Sequence, residues 1–226
     1  MSDVIQFAKT NFRAQPIICA RTQEMKGIEL LARHRLDFNN AQQMLQSDVE
    51  AIKVASQLAA FYKGNLRIHC NVEITSIANL QWGYAMVENI QEGVVVELVE
   101  RNSGLVDQRN FNNLCRTVDW MRRMGGVVAM DDWTGTPIEM EMIKHIQPEI
   151  VKVNEHHLLR RISTERLIKG ANIVVEKIET QQQARDAQIK GATELQGYWC
   201  DVLKEHEVPP GLTPPGVMVR NLAKAA

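Results

Sequence analysis

Residues 125–133, GGVVAMDDW, form an apolar run that stops at two adjacent aspartates, Asp131 and Asp132. The valines favour a β-strand that is buried on both faces, as in a parallel sheet. Two like charges at the end of such a strand have two interpretations. Either the chain runs out into a solvated turn, or the carboxylates bind a metal ion.

The same pattern recurs along the chain. Six further segments are apolar, often β-branched runs that end on a polar residue: PIICA, LRIHCNVEI, VVVELVE, EIVKVN, ANIVVEKIE and ATELQGY. Stretches with apolar residues at helical spacing lie between them: AQQMLQSDVEAIKVASQLAAFYK, FNNLCRTVDWMRRMG, IEMEMIKHIQ, STERLIKG and ETQQQARDAQIKG. Four of these end on or near a glycine, a common helix stop: Gly64, Gly125, Gly170 and Gly191.

Strands that alternate with helices predict an α/β protein with a mostly parallel sheet. About seven such units over roughly 190 residues favour a TIM-like (β/α) barrel over an open, doubly wound sheet. The sequence contains neither GxGxxG after the first strand nor GxxxxGK[ST], which are the signatures of nucleotide-binding open sheets.

The composition is that of an ordinary globular protein. The 226 residues are 45% hydrophobic and 23% charged, with a formal net charge of -1, so no overall field favours DNA or a membrane surface. The four cysteines are widely spaced, which implies neither a zinc knuckle nor a disulfide framework. The sequence shows no signal peptide and no apolar run of about 20 residues. We therefore expect a cytoplasmic protein that neither binds DNA by itself nor associates with a membrane.

Polar side chains stand at the end of nearly every predicted strand. In a (β/α) barrel these ends meet at one face, where active sites lie. Converging carboxylates repel one another unless cations neutralise them, and oxygen ligands without cysteine or histidine suit Mg²⁺ or Mn²⁺. Each acid alone is better explained as a turn or capping residue, so the metal interpretation depends on their joint occurrence. The set is Glu29, Asn71, Glu97, Glu100, Asp131, Asp132, Lys152, Asn154, Glu176, Glu179 and Gln196.

These segments together resemble the EAL domain family, bacterial phosphodiesterases of cyclic di-GMP. The resemblance runs over about residues 15–203 and rests on the order and spacing of QPIICARTQEMKGIELLAR, CNVEIT, ELVE, AMDDW, VKVN, VEKIET and LQGY. It implies a barrel domain over residues 13–205, preceded by an N-terminal segment (1–12) and followed by a tail (206–226). The family's barrels tend to contain one antiparallel strand, which strand–helix alternation does not predict.

The resemblance also implies roles for individual residues. Two Mg²⁺ or Mn²⁺ ions would be held by Glu29, Asn71, Glu97, Asp131 and Asp132, with Asp131 as the bridging ligand. The catalytic residues would be Lys152, Glu176 and Glu29. Substrate would be contacted by Gln15, Arg33 and Gln196. The loop after the paired aspartates would be braced by Glu100 and Glu179.

The sequence departs from the family pattern in three places. Asn154 replaces an aspartate, and an amide neither accepts a proton as a base nor carries negative charge. In the loop WTGTP, Thr134 and Thr136 stand where glycines are expected, and Pro137 stiffens the end of the loop. The segment between Glu29 and Asn71 is short, so the barrel is expected to be trimmed between the first and second predicted strands.

Two functions follow. The first is a metal-dependent hydrolase that opens cyclic di-GMP to linear pGpG. The alternative is a catalytically weak or inactive domain that senses cyclic di-GMP or regulates a protein partner. A homodimer is open in both cases, because the altered loop belongs to the region that links metal binding to the family's dimer interface.

Overall fold

The computed structural model describes residues 11–99, 108–154 and 170–208, together with Leu212. Eight strands form a closed barrel in sequence order. They are β1 (Phe12–Cys19), β2 (Met25–Ala32), β3 (Arg67–Glu73), β4 (Val94–Val99), β5 (Val127–Met130), β6 (Ile150–Val153), β7 (Asn172–Val175) and β8 (Glu194–Gln196). The helices of the described ranges are α1 (Ala41–Phe61), α2 (Ile74–Ile77), α3 (Leu80–Asn89), α4 (Gln108–Arg123), α5 (Pro137–Ile146), α6 (Gln181–Ile189) and α7 (Tyr198–Lys204), followed by a 3-10 turn (Glu205–Glu207).

The predicted barrel is confirmed, and β1 is its one antiparallel strand. It pairs antiparallel with both β2 and β8, whereas every other neighbouring pair is parallel. The connection from Cys19 to Met25 explains this, because it is far too short for the crossover that parallel neighbours need. Strand–helix alternation did not predict β2, whose sequence MKGIELLA breaks the apolar pattern with Lys26 and Glu29.

Side chains alternate between two apolar regions. One face of the strands packs against the surrounding helices in a large core. The other face fills the barrel, where a small apolar layer lies across five strands. On several of these strands, the residue two positions further along also points into the barrel. These residues reach the end of the barrel where the parallel strands have their carboxyl ends, which we call the mouth. The small layer consists of Ile17, Val95, Ala129, Ile150 and Val174.

A single long helix, α1, connects β2 to β3, as the short segment between Glu29 and Asn71 indicates. The helix begins where the Asn40 side chain accepts a hydrogen bond from the Gln43 amide at 3.1 Å. It ends just before Gly64, whose φ of 72° lies in the left-handed region that suits glycine.

The other predicted helices have mixed outcomes. Those ending near Gly125 and Gly191 are α4 and α6, and IEMEMIKHIQ is α5. STERLIKG lies outside the described residues apart from Gly170. The short α2 and the helices α3 and α7 were not predicted.

The chain continues into the core beyond residue 205. Val208 and Leu212 are buried, and the Leu212 carbonyl accepts a hydrogen bond from the Ala14 amide at 2.9 Å. These contacts attach the start of the predicted tail to β1. Within the ranges described, none of the helices combines the length and the apolar character needed to cross a membrane.

Candidate active site

Lys152 occupies the centre of the barrel mouth. It is fully buried on β6, and its Nζ lies 2.8–3.1 Å from oxygens of four carboxylates. These come from four different strand ends: Glu29, Glu97, Asp131 and Glu176. We call these five residues the Lys152 cluster. Sequence positions as far apart as 29 and 152 meet here because the closed barrel brings all strand ends to one rim.

The cluster has an excess of negative charge over its single ammonium. Burial alone would lower the pKa of Lys152, but Asp131, Glu29 and Glu97 hold that pKa well above its usual range. Burial and the neighbouring Glu29 raise the pKa of Glu97 well above its usual range. Burial raises the pKa of Glu176 to about 7, with Lys152 opposing the shift. All three pKa values are raised, as expected where one buried ammonium lies among several crowded carboxylates.

The remaining cluster carboxylates differ from each other. Burial opposes ionisation of Glu29, but Lys152 and hydrogen bonds from Gln196 and Asn71 lower its pKa. Burial raises the pKa of Asp131, again against the effect of Lys152. Glu29 is therefore the best-stabilised anion of the site.

Several oxygens at the mouth are available to a cation. Asp131, Asp132 and Glu176 each offer a carboxylate oxygen, all within 4.8 Å of one another. The Asn71 side chain donates to Glu29 Oε1 at 2.7 Å, while its buried Oδ1 has no hydrogen-bond partner within the described ranges. Glu176 Oε2 is likewise buried and without such a partner. This all-oxygen donor set fits a hard divalent cation.

Gln15 and Gln196 extend the Lys152 cluster toward β1. Gln196 Nε2 lies 2.5 Å from Glu29 Oε2 and 3.0 Å from Gln15 Oε1. Gln15 in turn donates to Asp201 Oδ2 at 2.9 Å. The two glutamines are therefore brought to the site, and they orient Glu29 from the side opposite Asn71.

Other predicted site residues lie further out. Arg33 is exposed just beyond β2, and its Nε donates to the Phe12 carbonyl at 2.8 Å, which places it on the rim. Glu179 is exposed immediately before Thr180, the N-cap of α6. Glu100 lies outside the described residues.

The paired aspartates differ in exposure and in their contacts, although one oxygen of each lies within 4.8 Å of the other. Asp131 enters the cluster, whereas Asp132 adopts a φ of 51° and accepts a short hydrogen bond from the Asn154 amide at the surface. Aspartate tolerates this left-handed conformation better than most residues. Trp133 then buries its side chain and donates its backbone amide to the Lys152 carbonyl at 2.9 Å.

The loop that follows is held by Glu139 of α5. Its carboxylate accepts hydrogen bonds from the Thr134 amide at 3.1 Å, the Thr134 hydroxyl at 3.0 Å and the Thr136 amide at 2.8 Å. Thr136 closes a capping box with Glu139, and Pro137 occupies the first turn of the helix. Residues 133–137 are called the WTGTP loop below.

Three contacts at the site were not predicted. His69 lies beneath Glu97, with its Nδ1 2.6 Å from Glu97 Oε1. Its position two residues before Asn71 on a strand places both side chains on one face, a signal available in the sequence. The T-x-x-E spacing of Thr136 and Glu139 is a recognisable capping-box pattern. Nothing in the sequence pattern singles out Asp201.

Comparison with known proteins was made at three levels. A scan of protein-family models finds no match for the chain, and a search of curated proteins finds none either. Solved structures do match. The Bacillus subtilis YkuI protein, with an EAL domain and in complex with substrate c-di-GMP and calcium, is 21% identical, with a TM-score of 0.65 over 86% of this chain.

Two further solved structures are similar. The PaMucR phosphodiesterase in complex with c-di-GMP is 17% identical, with a TM-score of 0.67 over 82% of this chain and 92% of that one. Klebsiella pneumoniae BlrP1 in complex with manganese and cyclic di-GMP is 20% identical, with a TM-score of 0.64 over 83% of this chain. This chain has the fold of an EAL domain. It spans 57% of the Bacillus protein and 54% of the Klebsiella protein.

Proposed function

We propose that this EAL-fold protein is a metal-dependent phosphodiesterase that hydrolyses cyclic di-GMP to pGpG. The observation that carries the proposal is the Lys152 cluster, in which two buried carboxylates (Glu29 and Glu97) and two partly exposed ones (Asp131 and Glu176) face one buried ammonium at the barrel mouth. The similar solved structures that hold c-di-GMP with calcium or manganese support the choice of ligand and of a divalent ion.

The metal ligands we propose are those that the resemblance to the EAL family implies. Asn71 offers its Oδ1, which has no hydrogen-bond partner in the described part of the chain, and Asp131 and Asp132 offer oxygens within 4.8 Å of each other. Two Mg²⁺ or Mn²⁺ ions at such a site would activate water and stabilise charge on the phosphate oxygens. The full ligand set is Glu29, Asn71, Glu97, Asp131 and Asp132.

The protein's own groups then have distinct tasks. Lys152 keeps a positive charge at the centre of the mouth, where it opposes negative charge that develops on a phosphate. Glu176 is held 3.0 Å from Lys152 Nζ, and its second oxygen, which has no hydrogen-bond partner among the described residues, would accept a proton from the attacking water. Gln15 and Gln196 orient Glu29, and Arg33 at the rim is placed to meet a phosphate of the substrate.

Space for a ligand lies near Asn71. A cavity of about 320 Å³ is lined in part by Asn71, Asp48 and Phe38, and by none of the five residues of the Lys152 cluster. Its outer wall comes from residues 34–36 and 38, in the short connection that leads from β2 into α1. We propose that part of the dinucleotide occupies this cavity while a phosphate lies at the cluster.

The test is direct incubation of the protein with cyclic di-GMP and Mn²⁺ or Mg²⁺, followed by chromatographic separation of the products. We expect pGpG from the wild-type protein and none from Glu29→Gln. Glu24→Gln, which changes an exposed glutamate of the β1–β2 turn, is the matched control and should retain the activity. No pGpG at high protein concentration would contradict the proposal.

A second candidate is a cyclic di-GMP sensor that does not hydrolyse its ligand and acts through a protein partner or as a homodimer. The side-chain amide of Asn154 favours the sensor, because it donates a hydrogen bond to Asp132 and carries no charge of its own. Calorimetry with cyclic di-GMP in EDTA tests this role. Binding without turnover in the presence of metal supports the sensor, and turnover that rises in Asn154→Asp supports the enzyme.

A further inference from the structure

His69 is an unexpected side chain for the position that it occupies. It lies on β3 inside the barrel, fully buried, two residues before Asn71. Its register partner on β4 is Val95, a member of the small apolar layer beneath the Lys152 cluster. An imidazole in such a layer is costly unless it makes a hydrogen bond.

That hydrogen bond goes to Glu97. His69 Nδ1 lies 2.6 Å from Glu97 Oε1, and Glu97 Oε2 lies 2.9 Å from Lys152 Nζ. One oxygen of Glu97 is therefore held from below, while the other faces the mouth. The carboxylate cannot rotate without breaking one of the two contacts.

The barrel also provides space for the ring. On the neighbouring strand β2, Gly27 faces it, and a Cβ at that position would lie 3.3 Å from His69 Cδ2 and 2.8 Å from the Arg67 carbonyl. A larger residue at position 27 would press on the imidazole. The glycine thus leaves room for the histidine that supports Glu97.

We propose that His69 is a positioning residue, which donates from Nδ1 to Glu97 Oε1 and so keeps Glu97 Oε2, the oxygen that faces Lys152, oriented toward a metal ion at the mouth. The inference rests on the proposed function, in which Glu97 is a metal ligand. A carboxylate that binds a metal can only accept hydrogen bonds, so the ring nitrogen must be the donor. Groups that orient a metal ligand in this way typically contribute 10–100-fold to metal affinity.

The experiment measures Mn²⁺ binding to the intact protein by calorimetry and by electron paramagnetic resonance, without cyclic di-GMP. His69→Leu removes the donor, and we expect the dissociation constant for Mn²⁺ to rise by about tenfold or more. His69→Asn keeps an N–H at the position of Nδ1, and we expect an affinity within about threefold of the wild type. Ile150→Val, a small change in the same apolar layer, is the matched control and should leave the affinity unchanged.

Folding is checked by circular dichroism and by melting in EDTA. If His69→Leu does not fold, His69→Ala also lacks the donor and gives the same comparison. Two results would overturn the role of His69. One is an unchanged Mn²⁺ affinity in His69→Leu, or in His69→Ala where that variant takes its place. The other is an equal loss of affinity in that variant, in His69→Asn and in Ile150→Val. A wild-type protein that does not bind Mn²⁺ overturns it as well.

The proposed function is tested separately in the same samples. A protein that binds Mn²⁺ with the expected order of affinities but produces no pGpG supports His69 as a positioning residue and contradicts the phosphodiesterase. Where pGpG is produced, raising Mn²⁺ in the assay should restore much of the activity of His69→Leu. A purely structural defect would not respond to the metal concentration.

Discussion

The Lys152 cluster and the WTGTP loop both follow strand ends at the barrel mouth, but they are held in different ways. The cluster centres on the fully buried Lys152, and its contacts join residues on different strands, up to 123 positions apart in the case of Lys152 with Glu29. The loop is largely exposed, and its bonds join Glu139 to residues three and five positions away. Substitutions in the cluster should therefore affect stability and metal binding strongly, whereas those in the loop should have small, local effects.

The largest expected effect is that of Lys152→Met. Without the ammonium, four carboxylates, of which Glu29 and Glu97 are buried, face one another, and breaking a buried ion pair costs about 3–5 kcal/mol. Urea denaturation in EDTA should show a loss of this size in the free energy of unfolding. Lys144→Met, which removes an exposed pair with Glu141 on α5, should change it by less than about 1 kcal/mol. Equal effects of the two substitutions would remove the distinction between the buried and exposed regions.

Metal addition should stabilise the protein through the cluster. At about 100 times its dissociation constant, Mn²⁺ should add about 2.7 kcal/mol to the free energy of unfolding, because only the folded chain assembles the site. Differential scanning calorimetry with and without EDTA measures the shift. Asp131→Asn should abolish most of it, whereas Asp119→Asn on the exposed face of α4 should keep it. A shift that survives in Asp131→Asn would place the metal elsewhere.

The stability of the metal-free protein should also depend on pH through Glu176. Burial raises the pKa of Glu176 to about 7, above the 4.5 of an ordinary glutamate. Between these values the folded chain holds a proton that the unfolded chain releases, so the contribution is present below about pH 4.5 and is lost as pH rises through 7. Relative to Glu176→Gln, the wild type should lose about 3 kcal/mol over this window in EDTA. Parallel stability curves for the two proteins would contradict the assignment.

The smallest expected effect is in the WTGTP loop. Glu139→Gln weakens the bonds to Thr134 and Thr136 and the capping box of α5, at a cost of about 1 kcal/mol. Hydrogen exchange should accelerate at the amides of Thr134 and Thr136, with Mn²⁺ affinity unchanged. Glu141→Gln, two residues further along α5 and paired instead with Lys144 and His145, should leave the exchange of both amides as it is. A large loss of metal affinity in Glu139→Gln would show that the loop and the cluster are coupled.

Much of the architecture could be predicted because its signals are local. Apolar runs with valine and isoleucine indicate buried strands, and helical spacing indicates the helices between them. Their alternation implies a barrel, which in turn brings polar strand ends such as Asp131 and Glu176 to one face. The strand β2 was not predicted, because Lys26 and Glu29 interrupt its apolar pattern. The helix α3 was not predicted either.

By itself, then, the sequence determined the barrel and the residue types at its mouth, since both depend on patterns within a few residues. Only the tertiary structure decided that Lys152 meets four carboxylates, that His69 contacts Glu97 and that Asp131 contacts Lys152 while Asp132 contacts Asn154. These facts depend on how strands far apart in sequence are placed when the barrel closes, and on one left-handed backbone angle at Asp132. No periodicity in the sequence encodes the placement of the strands or the backbone angle at Asp132, because both are fixed by contacts across the closed sheet.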